Sequence, residues 1–194
     1  VGLTLYQDGK SIFQEQGEAL FTHFGLSGPL VLSASAHLGD LAKHKYEVGF
    51  DLKPALSHEQ LYARLNRDLT ALANRDAANC LVKLLPASMQ PVMVERWGVD
   101  PAKKANQLTK EERLALVELM KDFRIKIRER GDLEHAVITS GGVTVKEVDP
   151  RTMASKKCPG LYFAGEVLDV DAYTGGYNLQ IAWCTAQAAA RGLA

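Results

Sequence analysis

Leu161-Tyr162-Phe163-Ala164-Gly165-Glu166, followed after a short loop by Gly175-Gly176-Tyr177-Asn178, is the stretch on which the fold turns. The apolar run predicts a short strand that ends at a glycine and an acid. The glycine pair opens an Ala-rich run that predicts a long helix from about Tyr177 to Ala190. Strand, glycine, acid, loop, glycine pair and helix follow one another as they do at the nucleotide-binding crevice of an open α/β sheet, where ligands sit beyond the carboxyl ends of strands. Just upstream, Ser140-Gly141-Gly142-Val143 marks the point where the glycine-rich grammar begins.

Outward from that segment the chain reads differently. Val1, Leu3 and Leu5 alternate with Gly2, Thr4 and Tyr6, and Asp8-Gly9 supplies the two positive-φ positions of a tight hairpin before a second strand from Ser11 to Gln16. Gly25-Leu26-Ser27-Gly28-Pro29 predicts a break and a helix start, with Ser27 as the cap and Gly39 as the stop. Lys45 to Leu52 alternates again, with Tyr46, Val48, Phe50 and Leu52 on one face. At Pro54 the period changes to helical. Ser57 with Gln60 and Thr109 with Glu112 match capping boxes, Leu61, Leu65, Leu69 and Leu72 form a stripe, Cys80 to Leu85 predicts a second short helix, and Met89 to Trp97 a third. Phe123, Ile125 and Ile127 restore strand alternation, and Gly131-Asp132 turns the chain into a further strand from Glu134 to Thr139. Strands, helical lobe and strands predict an α+β chain: a β-rich, barrel-like domain over residues 1–139 with its helical lobe at about 57–122, then a separate segment over 140–194.

The chain has 194 residues, 46% of them hydrophobic and 24% charged, which supports a sizeable core and excludes wholesale disorder. Lys+Arg and Asp+Glu both number 23. Zero net charge argues against nucleic acid and acidic membrane surfaces as partners. Cys80, Cys158 and Cys184 are odd in number and dispersed, which fits neither a disulfide framework nor a metal site and points to a reducing, cytoplasmic setting. No apolar run reaches the ~20 residues of a membrane-spanning helix. The first residues carry neither a signal-peptide pattern nor an initiator Met, so the expectation is a chain that begins inside a longer protein.

Several residues are candidates for chemistry, each with a plainer alternative. Glu166 at a strand end can accept hydrogen bonds from sugar or ribityl hydroxyls, or be a solvated loop acid. Gly175, Gly176, Tyr177 and Asn178 present a helix start with little side chain in the way of a ligand oxygen, or a helix end packed closely on a neighbour. Gly141, Gly142 and Val143 permit backbone to lie along a flat ligand, or form an ordinary turn. Asp169 and Asp171 are paired loop acids, open to acid–base work or to solvation alone. His23 lies among aromatics, His37, His44 and His58 lie near breakers or caps, and His135 falls in the expected last strand. No nucleophile elbow, phosphate loop, HExxH or GxGxxG occurs, so no catalytic residue is assigned.

Two long motifs carry a resemblance. One is Gly17-Glu18-Ala19-Leu20-Phe21-Thr22-His23-Phe24-Gly25-Leu26-Ser27-Gly28-Pro29. The other runs from Ile138-Thr139-Ser140-Gly141-Gly142-Val143 through Met153-Ala154-Ser155-Lys156 and Pro159-Gly160-Leu161-Tyr162-Phe163-Ala164-Gly165-Glu166-Val167-Leu168-Asp169-Val170-Asp171 to Thr174-Gly175-Gly176-Tyr177-Asn178-Leu179-Gln180. Both resemble bacterial NAD(P)/FAD-dependent oxidoreductases of the aminoacetone-oxidase-like group, to which a bile-acid-induced enone reductase also belongs. Ser140 and Ala172 depart from the family's usual Ala and Gly.

The resemblance implies that the chain is an inserted domain plus the returning C-terminal part of a split Rossmann-like FAD-binding domain, whose GxGxxG half lies upstream. It implies FAD as cofactor, NADH or NADPH as reductant and a small-molecule substrate. It further implies Glu166, after Gly165, at the ribityl chain, Gly175 to Asn178 at the N1–C2=O edge of the flavin, and Gly141 to Val143 along the ring. The rival from another class is a non-catalytic β-barrel and helical module that binds a protein; a second is an enzyme piece with no activity alone.

Overall fold

The computed structural model describes residues 1–132, 134 and 136–193. In chain order its elements are β1 (Gly2–Gln7), β2 (Lys10–Gln16), β3 (Leu20–Phe21), β4 (Leu26–Ser27), α1 (Pro29–Ser35), β5 (Tyr46–Asp51), α2 (His58–Ala71), α3 (Gln90–Trp97), α4 (Lys110–Lys121), β6 (Phe123–Ile127) and α5 (Tyr177–Leu193). They form two compact units, one of residues 1–18 and 42–127, the other of residues 19–41 and 128–194.

The first unit is built on a four-stranded antiparallel sheet in the order β2-β1-β5-β6. Asp8 (φ 51°) and Gly9 (φ 82°) make the β1–β2 turn, both in the left-handed region that a two-residue hairpin requires. The register sets Leu3 opposite Phe50, Leu5 opposite Val48 and Phe50 opposite Phe123, so the period-2 alternation delivers all five side chains to one buried face. On the other face, the Arg124 guanidinium lies 3.7 Å from the Tyr6 ring centroid and bonds the Asp122 carboxylate at 2.7 Å.

The helical lobe follows from its caps. Ser57 Oγ accepts from the Gln60 N–H at 3.2 Å while Gln60 Oε1 accepts from the Ser57 N–H at 3.0 Å, and Thr109 with Glu112 repeats the exchange at the start of α4. Gly98, at φ 74°, ends α3, and Trp97 Nε1 donates to the Glu112 carbonyl at 2.7 Å. Leu61, Leu65, Leu81, Met93, Leu116 and Met120 are fully buried, each worth about 1.5–3 kcal/mol relative to exposure.

Four expectations from the sequence need correction. Cys80 to Leu85 forms turns after a 3₁₀ segment (Ala77–Asn79), not a helix. Leu84 and Leu85 N–H both donate to the Leu81 carbonyl, a single turn that goes no further before Pro86, while the preceding segment is held across the chain by Ala77 and Ala78 N–H to the Lys103 and Pro101 carbonyls. Ser27 does not cap α1, because it is extended in β4 opposite Leu20. The N-cap is Gly28 at φ 96°, ahead of Pro29 in the first turn. The expected strand from Glu134 to Thr139 does not form among the described residues; Leu133 and His135 lie outside them, and Thr139 N–H bonds a carboxylate instead of a neighbouring strand. Leu161 to Ala164 is a single antiparallel bridge, Ala154 to Tyr162, closed by Ser155 N–H to the Leu161 carbonyl (2.8 Å) and Phe163 N–H to that of Met153 (3.0 Å).

The second unit has its own small core of Val148, Met153 and Leu168, on which Val143, Phe163, Ala188 and Ala189 pack. Helix α5 buries no residue fully, and Tyr177, Leu179 and Trp183 are 60%, 64% and 69% exposed. Among the described residues no helix is long and apolar enough to cross a membrane.

Candidate functional site

All nine residues singled out for cofactor binding fall in the second unit. Glu166 stands in a 3₁₀ turn (Gly165–Val167), for which Gly165 adopts φ 77°. Its exposed carboxylate is oriented: Oε1 accepts from Thr139 N–H at 2.9 Å and from Thr139 Oγ at 3.3 Å. Oε2 has no partner among the described residues and keeps its acceptor capacity for a ligand hydroxyl. Thr139 is 27 residues away, and nothing in the local sequence signals the contact.

Gly142 and Val143 lie against the segment after Glu166. Val143 N–H donates to the Val167 carbonyl at 2.8 Å and Asp169 N–H donates to the Val143 carbonyl at 2.9 Å, a parallel bridge between Val143 and Leu168. A Cβ on Gly142 would collide with the Val167 carbonyl and stand 3.0 Å from the Leu168 carbonyl carbon. The absence of a side chain at Gly142 thus lets its backbone approach the Val167 carbonyl closely. Gly141, by contrast, has open space where a Cβ would be.

Helix α5 is tied down at its middle and at its start. Gly165 N–H donates to Thr185 Oγ1 at 2.9 Å, which links the 3₁₀ turn to the helix. The Asn178 side chain spans the preceding loop, donating to the Ala172 carbonyl and accepting from the Ala172 N–H, both at 2.8 Å. Asn178 thus holds the loop that carries Asp169 and Asp171. Gly175 and Gly176, at φ 123° and 90°, turn the chain into the helix, and nothing lies within 4 Å of a Cβ on Gly176. The first N–H groups of an α-helix have no intrahelical acceptor, so this turn offers donors and the positive end of a dipole to an approaching oxygen.

One further contact escaped the reading of the sequence. His37 Nε2 lies 2.6 Å from Tyr173 Oη across 136 residues. His23 stacks edge-on with Phe24, which is 74% exposed, at the tip of the β3–β4 hairpin. Among the described residues no group of three or more His, Cys, Asp or Glu is placed to hold a metal ion. Cys80 is buried, and burial pushes its thiol up to about 11, which keeps it protonated and unreactive near neutral pH.

A mixed α+β chain with a capped helical lobe and a glycine-rich turn-and-helix segment is the class that fold and site define. The family model for the HI0933-like protein barrel and H2TH domain matches residues 1–138, and the chain belongs to the HI0933-like family. It is 36% identical over 185 residues to the ribosomal RNA dihydrouridine synthase of Escherichia coli and 34% identical over 182 residues to that of Haemophilus influenzae. It is 31% identical over 192 residues to the 3-dehydro-bile acid delta(4,6)-reductase of Clostridium scindens. These alignments cover 94–96% of this chain but only 43–46% of each relative.

Proposed function

We propose that this chain is the C-terminal portion of a cytoplasmic, FAD-dependent reductase that saturates a carbon–carbon double bond conjugated with a carbonyl group. The observation that carries the reading is what the named relatives have in common. Dihydrouridine is uridine with C5=C6 saturated, a bond conjugated with the C4 carbonyl. A 3-dehydro bile acid with Δ4,6 unsaturation is likewise a conjugated ketone. Both reductions add a hydride to an electron-poor carbon and a proton beside the carbonyl.

In this reading residues 1–139 are an inserted domain and residues 140–194 the returning segment of a split Rossmann-like domain, whose other half lies upstream. The residues present fit a flavin: Glu166 would accept from the ribityl chain through Oε2, and Gly175, Gly176, Tyr177 and Asn178 would face the pyrimidine edge. The backbone of Gly141, Gly142 and Val143 would lie along the ring. Bound FAD would supply the hydride, drawn from NADH or NADPH. The chain's own contribution is to orient Glu166 through Thr139, hold the loop through Asn178, and place N–H donors where negative charge would accumulate.

The test is to purify the full-length protein and this chain in parallel. The full-length protein should be yellow and this chain colourless, because the ADP half of FAD takes much of its binding from the upstream GxGxxG turn. With NADH or NADPH, the full-length protein should add two hydrogens to uridines of ribosomal RNA or to a conjugated 3-oxo steroid, read by mass spectrometry. A full-length protein without flavin absorbance would overturn the proposal.

A further inference from the structure

Saturating a conjugated double bond takes a proton as well as a hydride, and the proton must reach the carbon beside the carbonyl. A phenol keeps its proton near neutral pH and can pass it on, whereas an ionised carboxylate only accepts. The loop between the Gly165–Val167 turn and α5 carries one phenol, that of Tyr173, beside the acids Asp169 and Asp171.

Tyr173 is placed by its neighbours. Asn178, the second residue of α5, holds Ala172 through two 2.8 Å bonds, and Gly175 turns the chain toward the helix two residues after Tyr173. The phenol therefore stands at the lip of the glycine turn that would face the flavin. Its hydroxyl lies 2.6 Å from Nε2 of His37, with the ring centroids 6.0 Å apart. His37 is itself fixed at the end of α1: its N–H donates to the Ala34 carbonyl at 3.1 Å, and just beyond it Arg130 Nη2 donates to the Gly39 carbonyl at 2.9 Å. His37 is exposed and Tyr173 is 44% exposed, so a substrate can reach the pair. Tyr177 offers a second phenol at the first position of α5, but its hydroxyl has no hydrogen-bond partner among the described residues to orient it.

We propose that Tyr173 is the proton donor of the reduction and that His37 is the residue that positions it. The proposal rests on the reductase reading above. Nε2–H of His37 donates to Tyr173 Oη, which directs the phenol's own O–H toward the substrate. The hydride drawn from NADH or NADPH brings both electrons to the carbon distal to the carbonyl. The Tyr173 O–H bond breaks, and its proton forms the new C–H bond beside the carbonyl. The oxygen keeps the electron pair of the broken bond and takes the Nε2 proton of His37 as the ring gains one from solvent. The sum is one hydride from the dinucleotide and one proton from solvent, added across one C=C bond.

The experiment uses the full-length protein and compares wild type with Tyr173→Phe, Tyr177→Phe, His37→Gln and His37→Ala. The substrate is ribosomal RNA or a conjugated 3-oxo steroid, whichever wild type reduces. Tyr173→Phe should slow oxidation of the reduced flavin by that substrate roughly 10²- to 10⁴-fold. Reduction of the flavin by NADPH, followed by absorbance, should keep its rate. His37→Ala should slow the substrate step roughly fivefold, the worth of one neutral hydrogen bond, and His37→Gln, which keeps an N–H donor, should recover most of that loss. The bond is also read without turnover, in the spectrum of protein labelled with ¹⁵N-histidine. The signal that His37→Gln removes should shift in Tyr173→Phe and stay in place in Tyr177→Phe.

Equal substrate rates for wild type and Tyr173→Phe would overturn the proton donor, as would an unmoved His37 signal or an equal loss in Tyr177→Phe. A loss in Tyr173→Phe that falls equally on flavin reduction by NADPH would make the residue structural and overturn it too. These outcomes are differences between variants of an active wild type. A wild type without flavin absorbance, or one that reduces neither substrate, overturns the reductase reading and the proton donor with it.

Discussion

Glu166 offers the sharpest separation between a ligand-binding carboxylate and a structural one. Thr139 donates twice to Oε1, at 2.9 and 3.3 Å, and Oε2 remains open. Glu166→Ala removes both roles. The freed Thr139 N–H is exposed and finds water, so the stability loss should stay below about 1 kcal/mol. A charge-assisted hydrogen bond to a ribityl hydroxyl is worth about 1.5–3 kcal/mol, so FAD should dissociate roughly 10- to 150-fold more readily.

Glu166→Gln keeps an acceptor for Thr139 and exchanges the open oxygen for a neutral amide. A neutral bond in place of a charged one loses about 1 kcal/mol, or roughly fivefold in FAD affinity. Both changes weaken oxidised and reduced flavin alike, so the reduction potential should scarcely move. Gly176→Val does the opposite. It places a β-branched residue at φ 90°, where backbone must meet the flavin edge, and should lower the potential because the helix start favours the reduced, negatively charged cofactor.

Fluorescence titration of FAD and potentiometry on the full-length variants provide the assay. If all three variants keep wild-type affinity and potential, the glycines and the acid are structural turns and the flavin lies elsewhere.

Two further outcomes test the packing. Leu65→Ala, at a fully buried position of α2, should cost about 2–5 kcal/mol in urea unfolding, and a loss below 1 kcal/mol would show a lobe that relaxes freely. The Lys103 ammonium, with the Thr109 N–H, holds the Glu112 carboxyl below the usual glutamate range, so its stabilisation is present above that range and is lost as pH falls through the lowered pKa. Wild type should therefore lose more stability on acidification than Glu112→Gln, and parallel pH profiles would contradict this.

What the sequence determined by itself was whatever depends on local stereochemistry. The hairpin at Asp8-Gly9, the two capping boxes, the left-handed stop at Gly98 and the strand of Phe123 to Ile127 are legible because turn φ, cap hydrogen bonds and side-chain period are properties of a few neighbouring residues. The long motifs also pointed to a flavoprotein-related family, and the family model and the reductase relative agree at that level.

The tertiary structure decided what hangs on distant partners. Cys80 to Leu85 has a helical apolar spacing, yet its backbone closes only local turns, Cys80 N–H to the Ala77 carbonyl and Leu84 and Leu85 N–H to that of Leu81. Ser27 is a good cap in isolation but is taken into β4 by Leu20. Gly142 has no room for a Cβ because the Val167 carbonyl, 25 residues along the chain, occupies that space. Glu166 is oriented by Thr139, and His37 meets Tyr173 only because the turn after α1 and the loop before α5 are brought together. A backbone or carboxylate group must find its hydrogen bonds somewhere, and which partner is nearest in space is not written in its own neighbourhood of the chain.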